Sequence, residues 1–283
     1  MSIFCSTLNH LLFKVFQKWR ILILPAVVTN YLVCVGVGYS FLNPVARGVS
    51  ILHQEWFFYA VAQGMLLIGS FLLISRTTRI NGVSIAALST RLAVIVPTAA
   101  AFFLYGDAAP ALKLAGIGLA AVALYLSSAD SNASLPVARG ENWLLPVTLF
   151  TVFGINMTLA KWVQHRYLDD ITYHAYLTLS FCVAFLTGFG VLSVNTIRGK
   201  LKFGGKDVLA GLFLGINNYG SLYFLLKTIG QEGWESSVVF PTISVAVVVL
   251  SFAAGYAIFR EEISRTRMVA LGVGIVSILL INT

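Results

Sequence analysis

The stretch of sequence that decides the fold is GVSIAALSTRLAVIVPTAAAFFLYGD, residues 82–107. Residues 82–105 are almost entirely apolar, and a helix needs roughly 20 such residues to cross a bilayer. Within that run lie one charged side chain, Arg91, and one helix-breaking residue, Pro97. Because a charge inside a membrane costs several kcal/mol unless it meets a partner or a wet cavity, this span is expected to have a function.

The composition extends the membrane prediction to the whole chain. Of its 283 residues, 58% are hydrophobic and 11% are charged, and the mean hydropathy is +0.86. A soluble domain carries about a quarter charged residues. We therefore predict an integral protein of the cell (cytoplasmic) membrane. The net charge of +8 indicates a topology signal and contact with anionic lipids, rather than nucleic acid.

The apolar runs predict ten membrane-spanning helices and no strands. The first run is the weakest, because it holds Asn9, His10 and Lys14 and would also fit an interfacial helix. No cleavable signal peptide is expected. The ten segments cover residues 2–16, 21–42, 56–75, 82–105, 111–127, 143–163, 171–197, 208–228, 236–259 and 268–282.

The two halves of the chain share features at a spacing of roughly 150 residues. Pro97 matches Pro241, and Lys14 matches Lys161. Five crossings per half is an odd number, so the second half is inverted relative to the first. The predicted fold is therefore all-α, with two inverted five-helix repeats (residues 1–128 and 143–283) joined by a linker (129–142) around a central cavity. Inverted repeats are characteristic of secondary transporters.

Arg91 is the most informative candidate for binding. It lies on the order of 14 Å from the nearer end of its segment, beyond the reach of snorkelling. No Asp or Glu lies within any of the ten segments. Arg91 is therefore either an anion-binding group in a central cavity or a partner for helix-end carbonyls or a carboxylate at a segment end.

Further polar residues within the segments form the rest of the predicted substrate site. The lysines could instead snorkel to the membrane surface, and the amides could be hydrogen-bonding links between helices. Pro97 and Pro241 are the predicted hinges, and Gly211 and Gly215 predict close helix packing. The predicted substrate-binding residues are Arg91, Lys14, Lys161, Asn30, Asn217, Asn218 and Tyr219.

Short motifs in a consistent order connect the chain to a known family. In the first half they are Phe13-Lys14, Asn30-Tyr31 and residues 82–107. In the second half they are KWVQ (161–164), Asn218-Tyr219, YFLLK (223–227), SSVVFP (236–241) and FREE (259–262). Together they resemble the EamA-like branch of the drug/metabolite transporter superfamily over nearly the whole chain. No single motif is specific, but their order and spacing are.

This resemblance implies alternating access, export or exchange of small polar metabolites, and no nucleotide hydrolysis. Members of that family often carry Lys where Arg91 stands and Glu where Asp107 stands, and both exchanges keep the charge. The family has both termini in the cytoplasm. Here the basic residues concentrate in the odd-numbered connections, which by the positive-inside rule places both termini outside, so the orientation stays open.

The predicted function is secondary transport of an amino acid, an organic acid or another anionic or zwitterionic solute. The alternative is a lipid-handling protein of the same fold that uses a basic cavity for a phosphate head group. An intramembrane enzyme is disfavoured, because the chain has no HExxH motif and no paired aspartates within a span. We expect no cofactor and no metal site. The expected partners are a small-molecule substrate and membrane lipids, and the expected state is a monomer or homodimer.

Overall fold

A computed structural model describes residues 1–42, 51–81, 83–108, 110–129, 144–169, 172–199, 201, 203–231, 233–259 and 265–281. All regular secondary structure in these ranges is helical, as predicted. A short 3-10 turn covers Ile51–His53. The α-helices are α1 (Ser2–Lys18), α2 (Ile23–Phe41), α3 (Phe57–Asn81), α4 (Val83–Leu92), α5 (Ile95–Leu104), α6 (Ala111–Ala129), α7 (Leu144–Tyr167), α8 (Thr172–Ile197), α9 (Gly205–Ile229), α10 (Ser236–Phe259) and α11 (Arg265–Ile281).

Seven helical stretches of the described chain are long and apolar enough to cross a membrane. Six of them are α2, α3, α7, α8, α9 and α10, and the seventh, Ile85–Leu104, runs through α4 and α5 together. Three shorter apolar stretches lie within α1, α6 and α11. The chain is therefore a multi-pass membrane protein.

The fourth predicted segment is interrupted rather than continuous. Helix α4 ends at Leu92 and α5 begins at Ile95. Pro97 explains the position of this interruption. Within a helix, a proline ring clashes with the carbonyl four residues earlier, which here belongs to Ala93. The amide of Val96 bonds instead to Ala93 over three residues, at 3.1 Å. Pro241, by contrast, lies within the continuous helix α10.

The chain divides into two compact units that do not follow its two halves. The first unit comprises Met1–Leu72 and Leu159–Gly230, and the second comprises Leu73–Thr158 and Gln231–Thr283. Each unit therefore combines helices from both halves of the sequence.

In the first unit, α2 packs against α8 and α9, and α1 packs against α9. The predicted close packing at Gly211 and Gly215 is confirmed. A Cβ at Gly211 would lie 2.5 Å from the carbonyl oxygen of Ala26, and one at Gly215 would lie 2.7 Å from that of Asn30. Only glycine lets α9 approach the backbone of α2 this closely.

In the second unit, α6 packs against α11, and α10 packs against α5 and α11. The hydroxyl of Ser277 on α11 donates to the carbonyl of Gly116 on α6 at 2.9 Å. The N-terminus of α10 is capped by Asp107, which lies in the connection after α5. The amide of Ser237 donates to Asp107 Oδ2 at 2.8 Å. This bond satisfies one of the free amides of the α10 N-terminus.

Candidate functional site

Arg91 lies in the last turn of α4, directly before the interruption, and its side chain is half-buried in the second unit. A helix C-terminus has carbonyls without intrahelical partners and carries a partial negative charge. A guanidinium at this point is therefore favourably placed beside the end of its own half-helix. The sequence predicted an arginine deep in a span, and the structure adds that the span is broken there.

Lys161 lies in the first unit and is only 7% exposed, so it does not snorkel to the surface. Its ammonium donates to the carbonyl of Ile229, the last residue of α9, at 2.5 Å and to Gln164 Oε1 at 2.9 Å. Gln164 Nε2 in turn donates to the hydroxyl of Tyr173 at 3.2 Å. Lys161 therefore caps the C-terminus of α9 and connects α7, α8 and α9.

Lys14, the matching lysine, belongs to α1 by its backbone, and its side chain lies outside the described residues.

Two of the three predicted amides of the first unit, Asn30 and Asn217, have structural partners. Asn30 is fully buried, and its Nδ2 donates to the carbonyl of Val27 at 3.4 Å. Asn217 Nδ2 on α9 donates to Asn9 Oδ1 at 2.6 Å and to the carbonyl of Cys5 at 2.7 Å, both on α1. Asn217 thus links two helices, which is the alternative role that its sequence position allowed. Asn218 beside it is half-buried.

Tyr219 is 3% exposed and shares a 2.6 Å hydrogen bond with His174 Nδ1 on α8. The rings of Tyr219 and His174 are nearly parallel, with centroids 6.1 Å apart. Tyr223 stacks on His174 at 4.6 Å and Phe41 stacks on it at 5.6 Å. These four rings, from α2, α8 and α9, form one aromatic cluster in the first unit. The sequence analysis did not predict this cluster.

The second unit contains a cavity that the sequence did not predict. Lys113, near the start of the fifth predicted segment, lies in the first turn of α6 and is 6% exposed. Its ammonium donates to the carbonyl of Ala108 at 2.9 Å and forms an ion pair with Glu235. A cavity of about 330 Å³ is lined by these three residues together with Pro110, Gly233, Trp234, Val238 and Ile281.

Among the described residues, no group of three or more His, Cys, Asp or Glu side chains is placed to hold a metal ion.

The structure brings Asn30, Lys161, Asn217 and Tyr219 into the first unit and Arg91 into the second. Within the first unit these residues make separate hydrogen bonds, each within its own group of helices. The hinge candidates Pro97 and Pro241 both belong to the second unit, where only Pro97 lies at an interruption.

The fold and these contacts define a helical, multi-pass membrane protein with buried polar groups between its helices. The chain matches no protein-family model. It is 24% identical over 268 residues to an uncharacterized protein of Haemophilus influenzae, and the alignment covers 93% of this chain and 90% of that protein. A protein of known crystal structure is similar at a TM-score of 0.75 and 16% identity, over 99% of this chain and 94% of that one. At such low identity the likeness concerns the fold alone.

Proposed function

We propose that this protein is a secondary transporter of the EamA-like branch of the drug/metabolite transporter superfamily. It moves a small polar metabolite, such as an amino acid, an organic acid or another anionic or zwitterionic solute, by alternating access. The direction is export or exchange across the cell membrane. In this proposal the ten apolar segments all cross the membrane as two inverted repeats of five.

The observation that carries the proposal is the interrupted span with Arg91 at the interruption. Discontinuous helices near the middle of a membrane are typical of the substrate sites of secondary transporters. Arg91 supplies a positive charge there, and a guanidinium binds carboxylate or phosphate oxygens through two parallel hydrogen bonds. An anion is therefore the complementary ligand.

The composition of the two units supports the inverted repeat. In the predicted repeat, the fourth segment matches the ninth and the fifth matches the tenth. The helices of all four segments lie in the second unit. Segments two and seven, which match each other, both lie in the first unit. A pseudo-two-fold relation between the halves groups matching helices in this way.

The carboxylates argue against a substrate that is only cationic. Among the seven stretches long enough to span, the single acidic residue is Asp207, at the start of α9. It is 1% exposed, and its two oxygens accept from the amides of Leu22 at 2.8 Å and Gly204 at 2.9 Å. Exchange of a cationic drug for a proton requires a buried carboxylate that can bind either of them. The carboxylate of Asp207 is instead engaged in capping α9.

The test is metabolite profiling of the medium of cells that express the wild type, Arg91→Gln or Arg79→Gln at equal membrane levels. Arg79 is a matched control, because it is an exposed arginine in the last turn of α3. We expect the wild type and Arg79→Gln to enrich the same few anions or zwitterions, and Arg91→Gln to enrich none. Enrichment of cations, or an unchanged profile with Arg91→Gln, would contradict the proposal. Phospholipid transfer without any solute difference would favour the lipid-handling alternative.

A further inference from the structure

The cavity of the second unit lies where membrane-spanning stretches begin and end. Its lining comes from the connections after α5 and before α10, from the first turns of α6 and α10 and from the last residue of α11. Helix α5 ends one spanning stretch at Leu104, and α10 begins another at Ser236. The ends of such helices lie near the lipid head groups. Trp234, half exposed in the lining, agrees with this level, because indole rings collect at the membrane surface.

Lys113 is the buried cation of this cavity. An ammonium group has three N–H donors. One donates to the carbonyl of Ala108 at 2.9 Å, and another serves the ion pair with Glu235. The ring of Phe102 lies 5.8 Å from the same nitrogen, and among the described residues no further acceptor is bonded to it. One donor of Lys113 is therefore available to an anionic oxygen in the cavity.

The carboxylate of Glu235 is the accessible half of the ion pair. Its side chain is 39% exposed, whereas that of Lys113 is 7% exposed. The hydroxyl of Ser237 donates to Glu235 Oε2 at 3.4 Å, and the amide of Ser237 donates to Asp107 Oδ2. Two carboxylates and one ammonium are therefore gathered here, which disfavours a purely anionic ligand. A ligand with its own ammonium group can donate to the exposed carboxylate of Glu235.

Exposed apolar side chains flank the connection that lines the cavity. Phe103 and Leu104 lie in the last turn of α5 and Leu112 in the first turn of α6, and all three are more than half exposed. In a membrane protein such a patch contacts lipid. The cavity volume of about 330 Å³ is at the lower end of the range for small-molecule sites. It therefore suits a lipid head group whose acyl chains lie outside, along these side chains.

We propose that this cavity binds a zwitterion that joins a phosphate to a primary ammonium, as the head group of phosphatidylethanolamine does. The phosphate accepts from the available N–H of Lys113, and the ammonium donates to the carboxylate of Glu235. The four charges then alternate in sign, and a net neutral ligand adds no net charge to the partly buried pair. A choline group has no N–H to donate, so phosphatidylcholine binds more weakly. The lining includes none of the predicted solute-binding residues, and the inference does not rest on the proposed transport.

Native mass spectrometry of the whole chain in detergent tests this site. Phosphatidylethanolamine, phosphatidylcholine and phosphatidylglycerol with identical acyl chains are added at equal concentrations. We expect the wild type to bind phosphatidylethanolamine at least fivefold more tightly than either of the other lipids. Glu235→Gln removes the negative charge that holds the ammonium, and it should bind phosphatidylethanolamine and phosphatidylcholine equally.

Glu55→Gln is the matched control, because Glu55 is also an exposed glutamate beside a tryptophan, Trp56, at the start of a helix. It should keep the preference of the wild type. Equal binding of the three lipids by the wild type would overturn the proposal. So would a preference that Glu235→Gln retains, because the ion pair would then only hold the helices together.

Soluble head groups identify the source of the ligand. O-phosphoethanolamine and inorganic phosphate are titrated into lipid-free protein in detergent, with tryptophan fluorescence as the signal and Trp234→Phe to isolate the contribution of the cavity. A change with O-phosphoethanolamine that Trp234→Phe abolishes supports the site and assigns it a water-soluble ligand. No change, together with the lipid preference above, supports the site and assigns it the phospholipid. An equal change with inorganic phosphate would overturn the role of the ammonium and with it the proposal.

Discussion

Replacement of Lys161 by methionine distinguishes a structural lysine from a substrate-binding one. The change removes the donor to the carbonyl of Ile229 and to Gln164 Oε1. Each hydrogen bond from a charged donor contributes about 1.5–3 kcal/mol. The variant also no longer buries a charge in an apolar interior, and this offsets part of the lost hydrogen-bond energy. We therefore expect the free energy of unfolding to fall by about 2–4 kcal/mol. For a chain of this size the thermal midpoint falls by roughly 3–7 °C.

The assay is thermal unfolding of the purified protein in detergent, followed by transport normalised to folded protein. Lys206→Met is the matched control, because Lys206 is an exposed lysine of the same unit whose two contacts are 3.4 Å long. We expect it to lose less than about 1 kcal/mol. Lys161→Arg keeps the charge and should lie between the other two. If Lys161→Met unfolds at the temperature of the wild type, the capping role is refuted. If transport is also lost at that unchanged midpoint, Lys161 acts on the solute instead.

Two further predictions concern the packing of the first unit. Asp207→Ala leaves the amides of Leu22 and Gly204 without their acceptor and should lower the free energy of unfolding by about 2–4 kcal/mol. The control Asp169→Ala removes an exposed cap of α8 and should lower it by about 1 kcal/mol. Equal thermal midpoints for the two variants would contradict this prediction. Gly215→Ala brings a Cβ within 2.7 Å of the Asn30 carbonyl and should lower the midpoint by several degrees. The control Gly190→Ala should leave the midpoint unchanged, because its added Cβ meets nothing within 4 Å. If Gly215→Ala also leaves the midpoint unchanged, α9 can move away from α2 at little energetic cost.

The apolar runs predicted most of the helices, because the length of a membrane helix follows from its apolar run alone. The interruption of the fourth segment was also foreseeable from Pro97, although the break falls at Ala93 because the proline ring acts four residues back. The GxxxG spacing on α9 predicted a close helix contact, but nothing in the local sequence named α2 as the partner.

The buried charges could not be predicted, because their partners are backbone groups. Every residue has a carbonyl, so no sequence pattern shows that Lys161 meets that of Ile229 or that Lys113 meets that of Ala108. Asp207 lies just outside the predicted span 208–228, yet it is 1% exposed. The sequence locates a charged group along the chain, whereas its burial depends on which distant helices pack around it.

The division of the chain has a consequence for its synthesis. Helices α1 and α2 are made first, but the helices that cover them in the first unit, α8 and α9, are completed only at Ile229. At about 5–20 residues per second, translation needs roughly ten to forty seconds to go from the end of α2 to that point. During this interval Asn30 and Tyr31 have no α9 or α8 to bury them. The early helices must therefore wait in the insertion machinery or in lipid, and the first unit closes only after most of the second has been translated.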